Sequence, residues 1–311
     1  MSLWRDLVAL GKPGITMMAV IVAAGTFVLD AAFPAQGPFG PGRAAVALDL
    51  AVVVKGVFGL AGVALIVMGA GALNMLLEAD VDGRMTRTAN RPLASGRRGP
   101  TFALVTGLGW IALSLPLLFI CGNALTVGLG LFSLFLYVLV YTPMKQRSPW
   151  SLVVGAIPGA MPALMGGTLA AGVVDVTGVA LFAVVFLWQL PHFLAISLYR
   201  EPEYVAAGHK VFPTSLGLPQ AKLAITATTL LLSLLGVALW PLGLGGPAYA
   251  VVAAAVGVWF TVKAVRGLLP VARPRLDDDK WAKKVFIASL IWQTVIFGAL
   301  AVDRLINALM G

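Results

Sequence analysis

The sequence predicts an all-α, polytopic membrane protein, with nine transmembrane helices around a central cavity that opens to the cytoplasmic side. Three observations carry this expectation. Hydrophobic residues make up 59% of the 311 positions and charged residues 11%, whereas a soluble domain is about a quarter charged. Uncharged runs recur over 13–29, 56–77, 99–144, 148–174, 176–199, 223–262 and 285–302, and a span needs roughly 20 residues. Finally, 19 of the 22 Lys and Arg residues fall in segments that a nine-helix path with an inside amino terminus places on one face, as the positive-inside rule requires. The net charge of +9 is therefore topological. Membrane lipids are expected partners, and nucleic acid is not.

Taken in order, the first run follows Arg5 and Lys12 and resembles a signal peptide, with Ala23-Ala24-Gly25 as a small-residue site. A retained helix is expected instead, because no clear cleavage site follows and Lys12-Pro13 reads as a helix start. With no Arg-rich transit peptide ahead of it, the bacterial inner membrane is the expected location, with the amino terminus cytoplasmic. The segment 30–48 is rich in Pro and Gly and external, and no chemistry is assigned to it. Helix two carries Gly56, Gly59, Gly62, Gly69 and Gly71, small residues that let helices approach closely. The run 99–144 must hold two helices, broken near Cys121-Gly122-Asn123, and 223–262 another two, broken between Trp240 and Pro247. Cys121 is the one cysteine, which excludes an intramolecular disulfide and a cysteine metal cluster. Helix five, with Pro158 and Pro162 among glycines, reads as a kinked helix beside a cavity. Helix six brings Trp188, Gln189 and His192 into an apolar span, where a polar ring needs a partner. The segment 263–284, with Asp277, Asp278 and Asp279 among seven basic residues, reads as a solvated surface and not as a metal site. A single integral-membrane domain over 1–311 is expected, with a pseudo-repeat of helices 1–4 and 5–8 plus a ninth helix.

The chemistry concentrates in residues 74–98. If the helix continues through them, Asn74, Glu78 and Asp82 at i, i+4 and i+8 share one face. One amide and two carboxylates make an oxygen-rich site suited to Mg²⁺, a hard cation that keeps waters and is completed by substrate phosphates. Arg87 and Arg91 follow, with fork-shaped donors matched to phosphate oxygens. Lys145 and Arg147, in the next inner loop, fit two readings, closing on a diphosphate from the other side or anchoring the chain at the membrane. A second acidic loop holds Glu203 and Tyr204; a displacement of 121 residues places Asp82 on Glu203, Pro92 on Pro213 and Gly96 on Gly217.

These residues resemble the intramembrane aromatic prenyltransferase superfamily and, within it, the branch that farnesylates protoheme IX. Asn74-xxx-Glu78-xxx-Asp82 is similar to the superfamily's first acidic motif, and Met85-x-Arg87-Thr88-xx-Arg91-Pro92-Leu93 to that branch's continuation of it. Tyr141-Thr142 with Lys145 and Arg147, then Trp188-Gln189-x-Pro191-His192-Phe193 followed by Glu203-Tyr204 and Ala207-Gly208, extend the likeness along the chain. Glu78 and Glu203 stand where the family commonly has Asp, and Glu203 has Ala207 at i+4 where quinone-type relatives carry a second Asp. The resemblance implies Mg²⁺ held by Asn74, Glu78, Asp82 and Glu203 as the catalytic set, and diphosphate oxygens bound by Arg87, Arg91, Lys145 and Arg147. Acceptor contacts fall to Trp188, Gln189, His192 and Tyr204. The implied reaction transfers farnesyl from farnesyl diphosphate to a vinyl group of heme b, with addition of water, giving heme O. The partners it implies are a downstream heme-modifying enzyme or terminal-oxidase assembly factors. Transfer to another acceptor, such as a quinone precursor, is the enzymatic alternative. Transport is the alternative of another class, but it calls for ionisable groups at midplane, whereas these charges cluster at one membrane face.

Overall fold

Residues 2–35, 48–269 and 275–310 are described by the computed structural model, and the chain there is helical, with no strand among them. Residues 36–47, which include Arg43 of the expected external segment, lie outside the described residues. A short amphipathic helix, α1 (Leu3–Leu10), precedes the first span. The chain then runs through α2 (Pro13–Ala32), α3 (Leu50–Leu77), the single turn α4 (Ala79–Asp82) and α5 (Pro100–Cys121). Next come α6 (Ala124–Phe135), a π-helical segment Leu136–Tyr141, and α7 (Thr142–Met144), which together form one span. The second half comprises α8 (Ser151–Ala171), α9 (Val176–Tyr199), the short α10 (Glu201–Ala206) and α11 (Phe212–Leu216), then α12 (Leu218–Ala238), α13 (Pro247–Val265) and α14 (Arg275–Met310). Among the described residues nine helices are long and apolar enough to cross a membrane, and their order matches the expected path.

Local chemistry sets the boundaries. Pro13, Pro100 and Pro247 open α2, α5 and α13, where the missing N–H costs nothing. Asp49, Asn123 and Asp175 cap α3, α6 and α9, their side chains accepting from Val52 N at 2.9 Å, Thr126 N at 3.1 Å and Gly178 N at 3.1 Å. Breaks fall where the sequence placed them, at Gly122 and between Ala238 and Pro247.

Helix packing follows the small residues. An added Cβ at Gly69 would meet Ile111 of α5 at 2.5 Å, and one at Gly166 of α8 the carbonyl oxygen of Ala23 in α2 at 2.1 Å. The α3–α5 and α2–α8 contacts therefore exist because those positions have no side chain. Around α9 the packing is bulky instead, with Ile225, Tyr249, Phe260 and Trp292 buried between α9, α12, α13 and α14.

One expectation on the last loop is corrected. The segment 263–284 is not simply a solvated surface, because α14 begins at Arg275 rather than near 285. Trp281 is buried, and Asp278 is 4% exposed and paired with Lys222 at 2.6 Å. Burying a carboxylate requires such a partner, and the first turns of α14 supply the position for it.

Candidate active site

Four helix ends converge at one end of the bundle. Asn74 lies in the last turn of α3, where its Nδ2 donates to Glu78 Oε2 at 3.0 Å and to Thr142 Oγ1, at the end of the π-helical segment, at 2.8 Å. The helix does not run straight through, since Glu78 closes α3 at φ −105 and α4 restarts behind it. Backbone bonds Glu78 N to Asn74 O at 3.0 Å and Asp82 N to Glu78 O at 2.8 Å nevertheless keep the i→i+4 register across the kink. Asn74, Glu78 and Asp82 consequently line the same cavity.

Each carboxylate faces a cation. Lys145 Nζ sits 2.8 Å from Glu78 Oε1 and 2.9 Å from Oε2. Arg91 Nη1 spans both oxygens of Asp82 at 2.8 and 2.7 Å. Lys145 is held charged, its pKa raised: burial alone would lower it, but Tyr141 and Glu78 outweigh that penalty. A third cation, whose place in the sequence membrane topology alone explains, is Lys12. It sits just ahead of α2 in a left-handed conformation, φ 47, that non-glycine residues rarely adopt. This turn sends its Nζ to the Asn74 amide oxygen. Burial, reinforced by Lys145 and Arg91, pulls its pKa down to about 7.

The cavity behind this mouth has a volume of about 580 Å³, within the ~300–1,000 Å³ range of ligand pockets. Its mouth also takes in Arg87, Tyr137, Tyr141, Tyr204 and His209, and its body is walled by apolar residues such as Met18, Val22, Ile66, Pro158, Pro162 and Met165. Burial raises the pKa of Tyr204 despite the opposing charge of Arg87, and burial, helped by Lys145, lowers that of His209. The π-helical turn over Leu136–Tyr141 sets Tyr137 beside Tyr141 at the mouth, ring centroids 5.4 Å apart and planes tilted by 33°. No periodicity in the sequence announced it, because a π turn is a single-residue adjustment inside an apolar run.

On the far wall, α9 contributes Trp188, Gln189 and His192. Trp188 Nε1 donates to Ser289 O at 2.8 Å, Gln189 Nε2 donates to Ala156 O and Val185 O at 3.0 and 3.1 Å, and His192 Nδ1 lies 2.8 Å from Ser289 Oγ. The partner that the buried histidine requires is thus on α14.

Two expected members are not brought in. Glu203 does not join Glu78 and Asp82: it is absent from the cavity wall, its side chain is 41% exposed, and it pairs with Arg200 at 3.3 Å. It projects from the short α10, whose next residue, Tyr204, turns inward instead. Arg147 likewise is exposed and off the wall, lying past the end of α7 beyond the turn that aims Lys145 inward. Among the described residues no three His, Cys, Asp or Glu side chains form a metal group. What remains is two carboxylates and an amide oxygen on one wall. That donor set fits a Mg²⁺ arriving with a diphosphate, whose oxygens and waters complete the shell, rather than a resident ion in an all-protein cage.

An oxygen-rich, cation-ringed mouth over an apolar chamber, built among the nine spans of the described residues, is the architecture of an intramembrane enzyme. Residues 38–290 match the model of the UbiA prenyltransferase family, and the chain belongs to that family. Its relatives include the protoheme IX farnesyltransferases of Anaeromyxobacter dehalogenans, 42% identical over 96% of this chain and 94% of that protein, and of Myxococcus xanthus, 38% identical over 96% and 94%. That of Sorangium cellulosum is 45% identical over 78% of this chain and 85% of its own. Among solved structures, a digeranylgeranylglyceryl phosphate synthase superposes with a TM-score of 0.78 at 16% identity, covering 98% of this chain and 99% of that one. A UbiA homologue from Archaeoglobus fulgidus bound to DMAPP and Mg²⁺ gives 0.62 at 16% identity over 96% and 99%. Those structures share the fold.

Proposed function

We propose that the chain is a protoheme IX farnesyltransferase, transferring farnesyl from farnesyl diphosphate to a vinyl group of heme b, with addition of water, to give heme O and diphosphate. The observation that carries this reading is the single cavity whose mouth pairs Glu78 with Lys145 and Asp82 with Arg91 while its body is apolar. The relatives' activity, at 38–45% identity, supplies the acceptor.

In this reading Asn74, Glu78 and Asp82 would hold a Mg²⁺ that enters with farnesyl diphosphate. When bound, the ion neutralises diphosphate charge and makes it a better leaving group. Lys145 and Arg91 leave the carboxylates and turn to the phosphate oxygens, with Arg87 beside them. The allylic C–O bond then breaks with charge accumulating on oxygens already surrounded by cations. Apolar walls at Val22, Ile66 and Met165 hold the farnesyl chain and keep water from the allylic cation until the vinyl carbon attacks; water then adds to the cation left on the other vinyl carbon and gives up a proton, so that the hydroxyl of heme O forms. Trp188, Gln189, His192 and Tyr204 face the acceptor. Glu203 and Arg147 are left with at most a role at the rim. The site's place at the end where the amino terminus enters α2 supports a cytoplasmic mouth in a bacterial inner membrane.

The test is product formation. Membranes carrying the protein, given heme b, farnesyl diphosphate and Mg²⁺, yield a more hydrophobic heme with the mass of heme O, and Asp82→Asn membranes do not. Farnesylation of hydroxybenzoate in place of heme would move the chain to the quinone branch, and solute flux with no covalent product would contradict enzymatic function altogether.

A further inference from the structure

The wall opposite the diphosphate mouth has a defined protonation pattern. Ser289 has one hydroxyl proton, and its Oγ lies 2.6 Å from the carbonyl oxygen of Phe286. Two oxygens that close without a proton between them repel, so the hydroxyl donates there. The other neighbour of Ser289 Oγ is His192 Nδ1 at 2.8 Å, which must then be the donor. The imidazole is therefore the Nδ1–H tautomer, and Nε2 carries the lone pair. Among the described residues the one side-chain hydrogen bond of His192 is that at Nδ1, and His192 lines the cavity. The ring cannot easily turn away, for it lies between Trp188 and Phe286, each with its ring centroid at 4.6 Å. Trp188 is itself fixed to the same Ser289 through its indole N–H.

We infer that His192 Nε2 is an axial ligand of the porphyrin iron of the acceptor, set in its metal-binding tautomer by Ser289 and clamped by Trp188 and Phe286. The inference rests on the reading of the acceptor as heme. Neutral imidazole is a suitable ligand for iron, and because Nε2 bears no proton, ligation needs none to leave. One protein ligand on one face fixes the macrocycle by its centre and limits which of its edges turn toward the allylic carbon. His192 thus positions the vinyl group, and Ser289 acts through it as a positioning residue.

Ferric heme b titrated into the full detergent-solubilised protein, followed by absorption and electron paramagnetic resonance, tests this directly. The wild-type complex shows an imidazole-ligated spectrum. His192→Ala loses that signature and binds heme at least about tenfold more weakly, and added imidazole restores the signature. Ser289→Ala keeps the ligand but frees the tautomer, so its heme affinity falls by less and its spectrum stays imidazole-type. Binding of a non-hydrolysable farnesyl diphosphate analogue, unchanged in both variants, shows that they fold. Identical heme spectra for wild type and His192→Ala would overturn the inference while leaving the farnesyltransferase reading intact. Absence of heme binding by a wild-type protein that still binds the farnesyl analogue would instead remove the heme acceptor itself.

Discussion

At the scale of single residues, the site is a set of cations parked on the carboxylates that a metal would need. Lys145 at 2.8 Å from Glu78 carries the sharpest consequence. Lys145→Met, losing one phosphate-facing charge, lowers kcat by roughly 10²–10³, whereas Arg147→Ala and Glu203→Ala, both outside the cavity, change it less than about tenfold; steady-state assay of the three variants checks this ordering. A second residue-scale prediction concerns Asp6, which is buried and bound by Arg98 at 2.8 Å and Arg97 at 3.4 Å. The hydrogen bond from Arg98, aided by Arg97 and opposed by burial, lowers the Asp6 pKa. A depressed carboxylate pKa stabilises the fold above its unfolded value and loses that contribution as pH falls through the folded one. Asp6→Asn therefore lowers the melting temperature in detergent at pH 7, and the difference from wild type shrinks once the pH drops below the ordinary aspartate range. The gathering of Asn74, Glu78, Asp82, Arg87, Arg91 and Lys145 around one cavity was legible in the sequence because polar and charged groups inside or beside an apolar span stand out. Lys12 was not, since a cation at a helix start is also what membrane topology demands, and only the left-handed turn at φ 47 tells the two apart. Glu203 misled for the complementary reason: spacing along the chain relates it to Asp82, but a one-residue step along α10 decides that Tyr204 and not Glu203 faces inward.

Among elements, the close approaches of α2 to α8 and α3 to α5 fix where the mouth residues stand. A Cβ at Gly166 would fall 2.1 Å from a backbone oxygen, which no rotamer change relieves, while one at Gly109 meets nothing within 4 Å. Gly166→Ala accordingly destabilises the protein by about 1–3 kcal/mol and Gly109→Ala leaves it unaltered, a contrast readable in paired thermal melts. Helix number, order and break points were legible, since a bilayer imposes length and hydropathy on every span. The kink at Glu78, the π turn before Thr142 and the early start of α14 were not. Each is a departure from regular periodicity with a tertiary partner beside it: the Lys145–Glu78 pair at 2.8 Å, the Asn74–Thr142 bond at 2.8 Å, and the Lys222–Asp278 pair. The first two lie in the site itself, where regular helix alone would not bring Asn74 and Thr142 together.

For the molecule as a whole, the proposed function divides one cavity into a charged mouth that ionises a diphosphate and a dry chamber that shelters a prenyl chain and an acceptor. The mouth draws on α2, α3, α4, α7 and the segment after α9, so no isolated part of the chain contains the site. Determining the structure with Mg²⁺ and a non-hydrolysable farnesyl diphosphate analogue bound tests this division. Metal density is expected against Glu78 and Asp82, with Lys145 and Arg91 moved onto the phosphate oxygens and the farnesyl chain between Val22, Ile66 and Met165. Diphosphate seated away from this mouth, with both ion pairs still closed, would contradict it.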